Sequence, residues 1–192
     1  MFLARRPTPA TIDRFIRDSQ DLPLSYAPVG IARDGTARGR LDEATVVIGR
    51  GERDFEWARA ALGTWRQFNI GWIETFPRLA PVASGTVVAV LIRHAGFWSL
   101  NGCRVLYGVG GTAHEARFGY AYGTLPNHAE AGEELFEVFI DSLTGEVTYR
   151  IRAVSWARAP LAHIGQPIVR ILQARFRRHS AEAMKRAVSR RV

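Results

Sequence analysis

The feature that most constrains this chain is a succession of strand-like segments that runs without helical interruption and ends in one long helical stretch. Gly71 to Phe76, Gly85 to His94, Gly102 to Val109, His114 to Thr124, Gly132 to Ile140 and Glu146 to Trp156 are rich in β-branched and aromatic residues, and Gly or Pro clusters separate most of them. Ser142-Leu143-Thr144-Gly145 predicts a hairpin turn. No helical pattern interrupts the last five segments, so adjacent strands should run antiparallel. Beyond them, Ala159-Pro160 suits a helix start, and Leu161, Ile164, Ile168, Ile171, Leu172 and Phe176 follow at three-to-four spacing. Pro167 lies inside that pattern and predicts a kink or break near Gly165-Gln166-Pro167.

Upstream, Pro9 to Arg17 reads as a short helix that Thr8 can cap, with Ile12, Phe15 and Ile16 on one face. Asp18 to Leu41 shows no period, and Pro23, Pro28, Gly30, Gly35 and Gly39 punctuate it, so it reads as an extended lead-in. Ala44 to Gly49 reads as a strand. Glu52 to Phe68 reads as a helix carrying Phe55, Ala58, Leu62 and Trp65 on one side. The order is strand, helix, six strands, long helix. That predicts an α+β fold with a curved, seven-stranded, mainly antiparallel sheet wrapped on a long C-terminal helix. Residues 1–192 are expected to form a single domain: an extension over 1–40, a core over 41–188, and a basic helix tail over 177–192.

Composition narrows the setting. Of the 192 residues, 47% are hydrophobic and 23% charged, a globular balance. Cys103 stands alone, so neither an intramolecular disulfide nor a cysteine zinc cage is available. No cofactor or metal site is expected. The longest strongly apolar run, Val87 to Ile92, is far too short to cross a bilayer, and the N-terminus has no signal-length apolar run. The expectation is a cytoplasmic protein with no transmembrane segment. The net charge of +8 arises from residue 157 onward, where nine basic residues face one acid; the rest of the chain balances 17 against 17.

Several motifs resemble a known family. Arg117-Phe118-Gly119-Tyr120-Ala121-Tyr122-Gly123-Thr124-Leu125-Pro126, then Gly132-Glu133-Glu134, then Leu161-Ala162-His163-Ile164-Gly165-Gln166-Pro167 are similar to the bacterial and plant family called domain of unknown function nineteen-ninety. The element order over roughly 41–188 also resembles the helix-grip fold of the START and birch-pollen-allergen superfamily. What that resemblance implies is an apolar cavity between sheet and helix.

Phe118 to Thr124 is the most informative segment. Phe118, Tyr120 and Tyr122 share one strand face, while Gly119, Ala121 and Gly123 share the other. One reading makes the aromatic face a cavity wall whose hydroxyls orient a ligand. Tyr107 and Tyr149 would join from neighbouring strands, and Ile168 and Leu172 would close it from the helix. The competing reading packs the helix on the small face and leaves the aromatics as core or surface. His114, Glu115, Arg117, His128, Glu130, Glu133 and Glu134 cluster nearby without any metal-ligand spacing, as a solvated rim would. Gly108-Val109-Gly110-Gly111 sits between strands and opens no helix, which excludes a phosphate cradle. Cys103, in an apolar strand, reads as a small buried hydrophobe.

The leading functional reading is therefore the binding of an apolar or amphipathic small molecule, without catalysis. An alternative is a lyase, isomerase or hydrolase using the same cavity. Another is binding of nucleic acid or an anionic membrane through the basic helix, although no aromatic follows Phe176 to stack bases.

Overall fold

The computed structural model describes residues 1–35, 40–110, 116–157 and 162–189; at 40, 157 and 162–169 it describes the backbone alone. The elements are β1 (Phe2–Leu3), α1 (Pro9–Asp18), α2 (Ile31–Asp34), β2 (Arg40–Arg50), α3 (Glu52–Gly63), a 3₁₀ turn (Arg66–Phe68), β3 (Ile73–Phe76), β4 (Val87–Arg93), β5 (Trp98–Gly110), β6 (Arg117–Thr124), β7 (Glu130–Ile140), β8 (Glu146–Ala157) and α4 (Ala162–Ser189). Seven strands form one curled antiparallel sheet in the order β2-β8-β7-β6-β5-β4-β3, and β1 adds on to β5. The hairpin between β7 and β8 closes on Asp141, whose Oδ1 accepts the amides of Leu143 and Thr144, each at 2.8 Å.

The sheet buries both faces. On the inner face Val88, Val90, Cys103, Val105, Tyr120, Tyr122, Phe136, Val138, Tyr149 and Ile151 pack with α3, the 3₁₀ turn and α4. On the outer face Val87, Ala89, Leu91, Leu100 and Leu125 meet Ile12 and Ile16 of α1. Ala121 and Leu135 meet Ala32 of α2, and Val154 meets Tyr26 and Ile31. This explains why β4 is apolar at consecutive positions rather than at alternate ones.

The aperiodic stretch after α1, expected as an extended lead-in, is thus the sheet's outer cover and carries α2. Glu133, only 3% exposed, anchors it. Its carboxylate accepts Tyr26 Oη at 2.6 Å, Tyr107 Oη at 2.7 Å, and the backbone amides of Gly30 and Ala32 at 2.9 and 3.2 Å. Gly30 has φ 101°, a left-handed conformation that turns those amides inward. Tyr26 also explains the bare face of β6, because a Cβ at Gly123 would lie 2.6 Å from its hydroxyl.

The structure departs from the expected helix over 52–68. α3 stops at Gly63, where the Thr64 hydroxyl donates to Ala60 O at 2.9 Å. Trp65 then turns left-handed (φ 60°), held by an indole N–H bond of 2.8 Å to Ala80 O. The reversal swings Gln67 and Phe68 under the sheet's inner face, where both are buried. At the other end, Pro167 does not end α4, which runs unbroken from Ala162 to Ser189. The predicted helix start at Ala159-Pro160 lies outside the described residues.

The tail of α4 is part of the core. Met184 is fully buried and Val188 is 4% exposed, both packed with Ile48 and α3. From the sequence, the alternation of charge with alanine after Phe176 predicts an end dispensable for folding; instead these two apolar residues, four apart, dock on the body. Truncation after Ala183 should therefore cost at least about 3 kcal/mol in a urea melt, the scale for losing a fully buried large side chain. Glu133→Ala should cost a similar amount or more, because it strands two hydroxyls and two amides. Equal melting curves for wild type and variant would contradict either account.

Candidate functional site

Inner-face packing is uneven. Toward α3 the space is filled by aromatic contacts: Trp65 on Tyr120 at 5.0 Å, Tyr120 on Phe136 at 5.7 Å, and Phe68 on Phe136 at 5.6 Å. Elsewhere, between α4 and the sheet, lies a cavity of about 350 Å³. Its apolar walls are Phe68, Trp72, Ile73, Val90, Ile92, Leu172 and Phe176. Phe68 stacks on Phe176 at 5.4 Å and on Tyr122 at 6.2 Å. Phe2 and Phe97 also line it, in edge contact at 5.9 Å.

The polar lining comes from four strands, β5 to β8, from His94 and His128 beside them, and from one turn of helix. Tyr122 donates to Glu134 Oε2 at 2.7 Å. Gln173 donates to Glu130 Oε1 at 3.2 Å and to Ser155 Oγ at 3.0 Å. Asn101 Nδ2 donates to Ser99 Oγ at 3.0 Å, which also bonds His94 Nε2 at 2.9 Å. His128 Nδ1 accepts the Glu130 amide at 2.9 Å.

Glu134 is the group whose chemistry this environment changes most. It is half-buried, and what remains exposed opens on the cavity. Burial pushes its carboxyl up to about 7, against the Tyr122 hydrogen bond and the field of Arg177, which both pull it down. Among the described residues no cation lies within ion-pair distance of it. Glu130 is raised as well by burial, despite Gln173 and Ser155. The Tyr122 hydroxyl is pushed well above its usual range by burial first and by Glu134 second, so it remains a donor. Cys103 is buried and its thiol is driven up, which rules it out as a ready nucleophile.

The residues expected to line a site divide sharply. Tyr122 and Leu172 line the cavity. Tyr120 and Tyr149 share the inner face but are sealed beneath α3 and α4; Tyr120 bonds Gln67, and Tyr149 bonds Ser180 Oγ at 2.9 Å. Phe118 packs near Gly63 and under Arg59, away from the cavity. Tyr107 lies on the outer face, a correction with a local cause. A bulge between Val105 and Tyr107 shifts the register by one, so Tyr107 pairs with Ala121 and reaches Glu133. The side chain of Ile168 lies outside the described residues, as do His114 and Glu115.

Sequence reasoning missed Phe68, Trp72, Phe176 and Gln173 as lining, and placed Glu130 and Glu134 on a solvated rim. Phe68 and Trp72 depend on the Trp65 turn, which no period announces. The signal for Glu134 was present: it shares parity with Phe136 and Val138 on β7, the face that the apolar pattern turns inward. Arg150 and Arg152 take the opposite parity on β8 and pair outside the cavity, with Glu137 at 2.5 Å and Glu43 at 3.2 Å. Among the described residues no three His, Cys, Asp or Glu gather as a metal site, and no helix is long and apolar enough to cross a membrane.

Comparison with known proteins agrees with this geometry. The chain is 35% identical to a UPF0548 protein of Deinococcus radiodurans over 97% of its length and 98% of the relative's. It is 28% identical to a UPF0548 protein of Dictyostelium discoideum, over 98% and 96%. Among solved structures it superposes on the Zhui aromatase/cyclase of a Streptomyces species with TM-score 0.52 and 15% identity, covering 79% of this chain and 94% of that one. It superposes on a Thalictrum norcoclaurine synthase point mutant with TM-score 0.52 and 8% identity, covering 78% and 93%. Such low identities speak for the fold alone. The pattern described as Domain of unknown function (DUF1990) matches residues 25–183. This chain therefore belongs to the DUF1990 family, with a helix-grip fold that it shares with the aromatase/cyclase and norcoclaurine synthase structures.

Proposed function

We propose that this protein holds an amphipathic small molecule between α4 and the inner face of its sheet. The observation that carries the reading is the two-part lining of the cavity. Aromatic and aliphatic walls meet a limited set of convergent polar groups, which is how small-molecule sites combine burial with orientation. The apolar part of the ligand lies between Phe68, Trp72 and Phe176. Its polar end meets Tyr122, Glu134, Glu130 and Gln173. A second reading, an enzyme working in the same place, draws on Glu134 alone: a carboxyl poised at about 7 is suited to proton transfer near neutral pH. The basic face of α4 gives less support to polyanion binding, since Arg175 lies over Trp72 at 4.9 Å and Arg177 faces Asp42 at 3.9 Å.

Native mass spectrometry of freshly purified protein tests the leading reading, with extraction and identification of any adduct. Leu172→Trp fills the space from the α4 side. It should abolish the adduct or weaken uptake at least about tenfold while leaving the melting temperature within a few degrees. An adduct that persists in this variant would place the ligand elsewhere.

Glu134 also predicts a pH dependence. Its folded value, about 7, lies above the ordinary 4.5, so between those values the folded state holds more protons than the unfolded one. Stability from this group is thus present below about pH 4.5 and lost as pH rises through about 7. Glu134→Gln should raise stability at pH 8 by roughly 2 kcal/mol relative to wild type, with the difference vanishing near pH 4. Parallel pH profiles for the two proteins would show that the carboxyl is not strained by burial.

A further inference from the structure

The cavity is electrostatically incomplete. Two carboxyl groups, Glu134 and Glu130, open into a space whose other walls are mostly aromatic and aliphatic. Enclosed carboxylates are costly unless a cation or several donors compensate them. Glu130 has Gln173 and Ser155, both neutral. Glu134 has one neutral donor, Tyr122. The only basic side chain of fixed charge in the described lining is Arg177, whose field reaches Glu134 while its ion-pair partner at 3.9 Å is Asp42 on β2. Burial lowers the pKa of His94 and favours its neutral form, and His128 Nδ1 is engaged by the backbone of Glu130. Among the described residues of the lining, the other groups that α4, β6, β8 and the 3₁₀ turn contribute are uncharged. The walls themselves favour a positive guest, because Phe68, Trp72, Phe176 and Tyr122 present ring faces and edges around the same space.

We infer that the ligand is an organic cation, an amine with an apolar body, whose ammonium group pairs with Glu134 while its body lies among Phe68, Trp72 and Phe176. The inference rests on the small-molecule reading above and specifies its chemical class. The ammonium donates up to three hydrogen bonds, one to the Glu134 oxygen that Tyr122 leaves open. Tyr122, donating to the other oxygen, holds the carboxylate in place as a positioning residue. A fatty acid or other anion would meet two carboxylates at the polar end and be repelled. A neutral alcohol would leave the charge uncompensated.

Three probes with one apolar body separate these cases: decylamine, decanol and decanoate, titrated calorimetrically into the full chain below their micelle concentrations. The amine should bind at least about tenfold tighter than the alcohol at pH 8, with the carboxylate weakest. A carboxyl titrating at about 7 is ionised to roughly one-tenth at pH 6 and nine-tenths at pH 8, so amine affinity should rise about tenfold between them. Decanol affinity should not follow that rise. In Glu134→Gln the amine's advantage and its pH dependence should both disappear, while decanol, still bound, certifies that the variant is folded. Equal binding of amine and alcohol, or a preference that survives Glu134→Gln, overturns the cationic assignment and leaves the cavity reading in place. Binding of none of the three probes to the wild type overturns both.

Discussion

A single buried carboxylate, Glu133, holds the two halves of this structure in register. It sits on the outer face of β7 and gathers donors from three places that are distant in sequence: Tyr26, the left-handed turn at Gly30 with its following amide at Ala32, and Tyr107 on β5. A charge this enclosed is tolerated because each oxygen is satisfied, two donors apiece. Remove that satisfaction and the N-terminal segment loses its polar anchor to the sheet. The outer face beneath it, with Ala121, Leu135 and Val154, would then be open to water.

The consequence reaches the opposite side. A strand has two faces, and covering one decides what the other can do. Because Tyr26 and α2 occupy the small-residue side of β6, the aromatic side must turn inward. Of the two readings that the Phe118–Thr124 pattern left open, this selects the one with Tyr120 and Tyr122 beneath the helices. Glu133 and Glu134 are neighbours in sequence, yet one fixes the outer cover and the other faces the cavity. The alternation of a β-strand gives adjacent glutamates opposite tasks.

The sheet and its C-terminal helix were legible because both rest on periodicity, and burial enforces periodicity along the whole of an element. What was not legible turned on single residues. One bulge at β5 moved Tyr107 to the other face; one left-handed residue, Trp65, replaced the end of a helix with a turn that carries Phe68 into the site. The N-terminal cover lacks a repeat because its contacts are made by side chains and backbone amides at irregular intervals, around one carboxylate. The docking of the α4 tail was hidden for a different reason. Its apolar residues are sparse along the sequence, but on a helix Met184 and Val188, four apart, share a face, and α3 with Ile48 supplies the surface for it.

The cavity itself demands a physical reason. An apolar space of about 350 Å³ that no side chain fills forgoes the packing contacts its lining could make. Its polar end admits water, but the aromatic end offers water few partners. Ala153 lines the space with a single methyl group, so the strand leaves room there that a larger side chain would occupy. The same inner face is tightly filled a few residues away, where Trp65, Tyr120 and Phe136 interlock, so the chain does not lack the means to pack. A surface that packs closely at one end and stays open at the other, with a strained carboxyl in the open part, has given up stability at one place. That pattern supports the proposed binding site over an imperfect core.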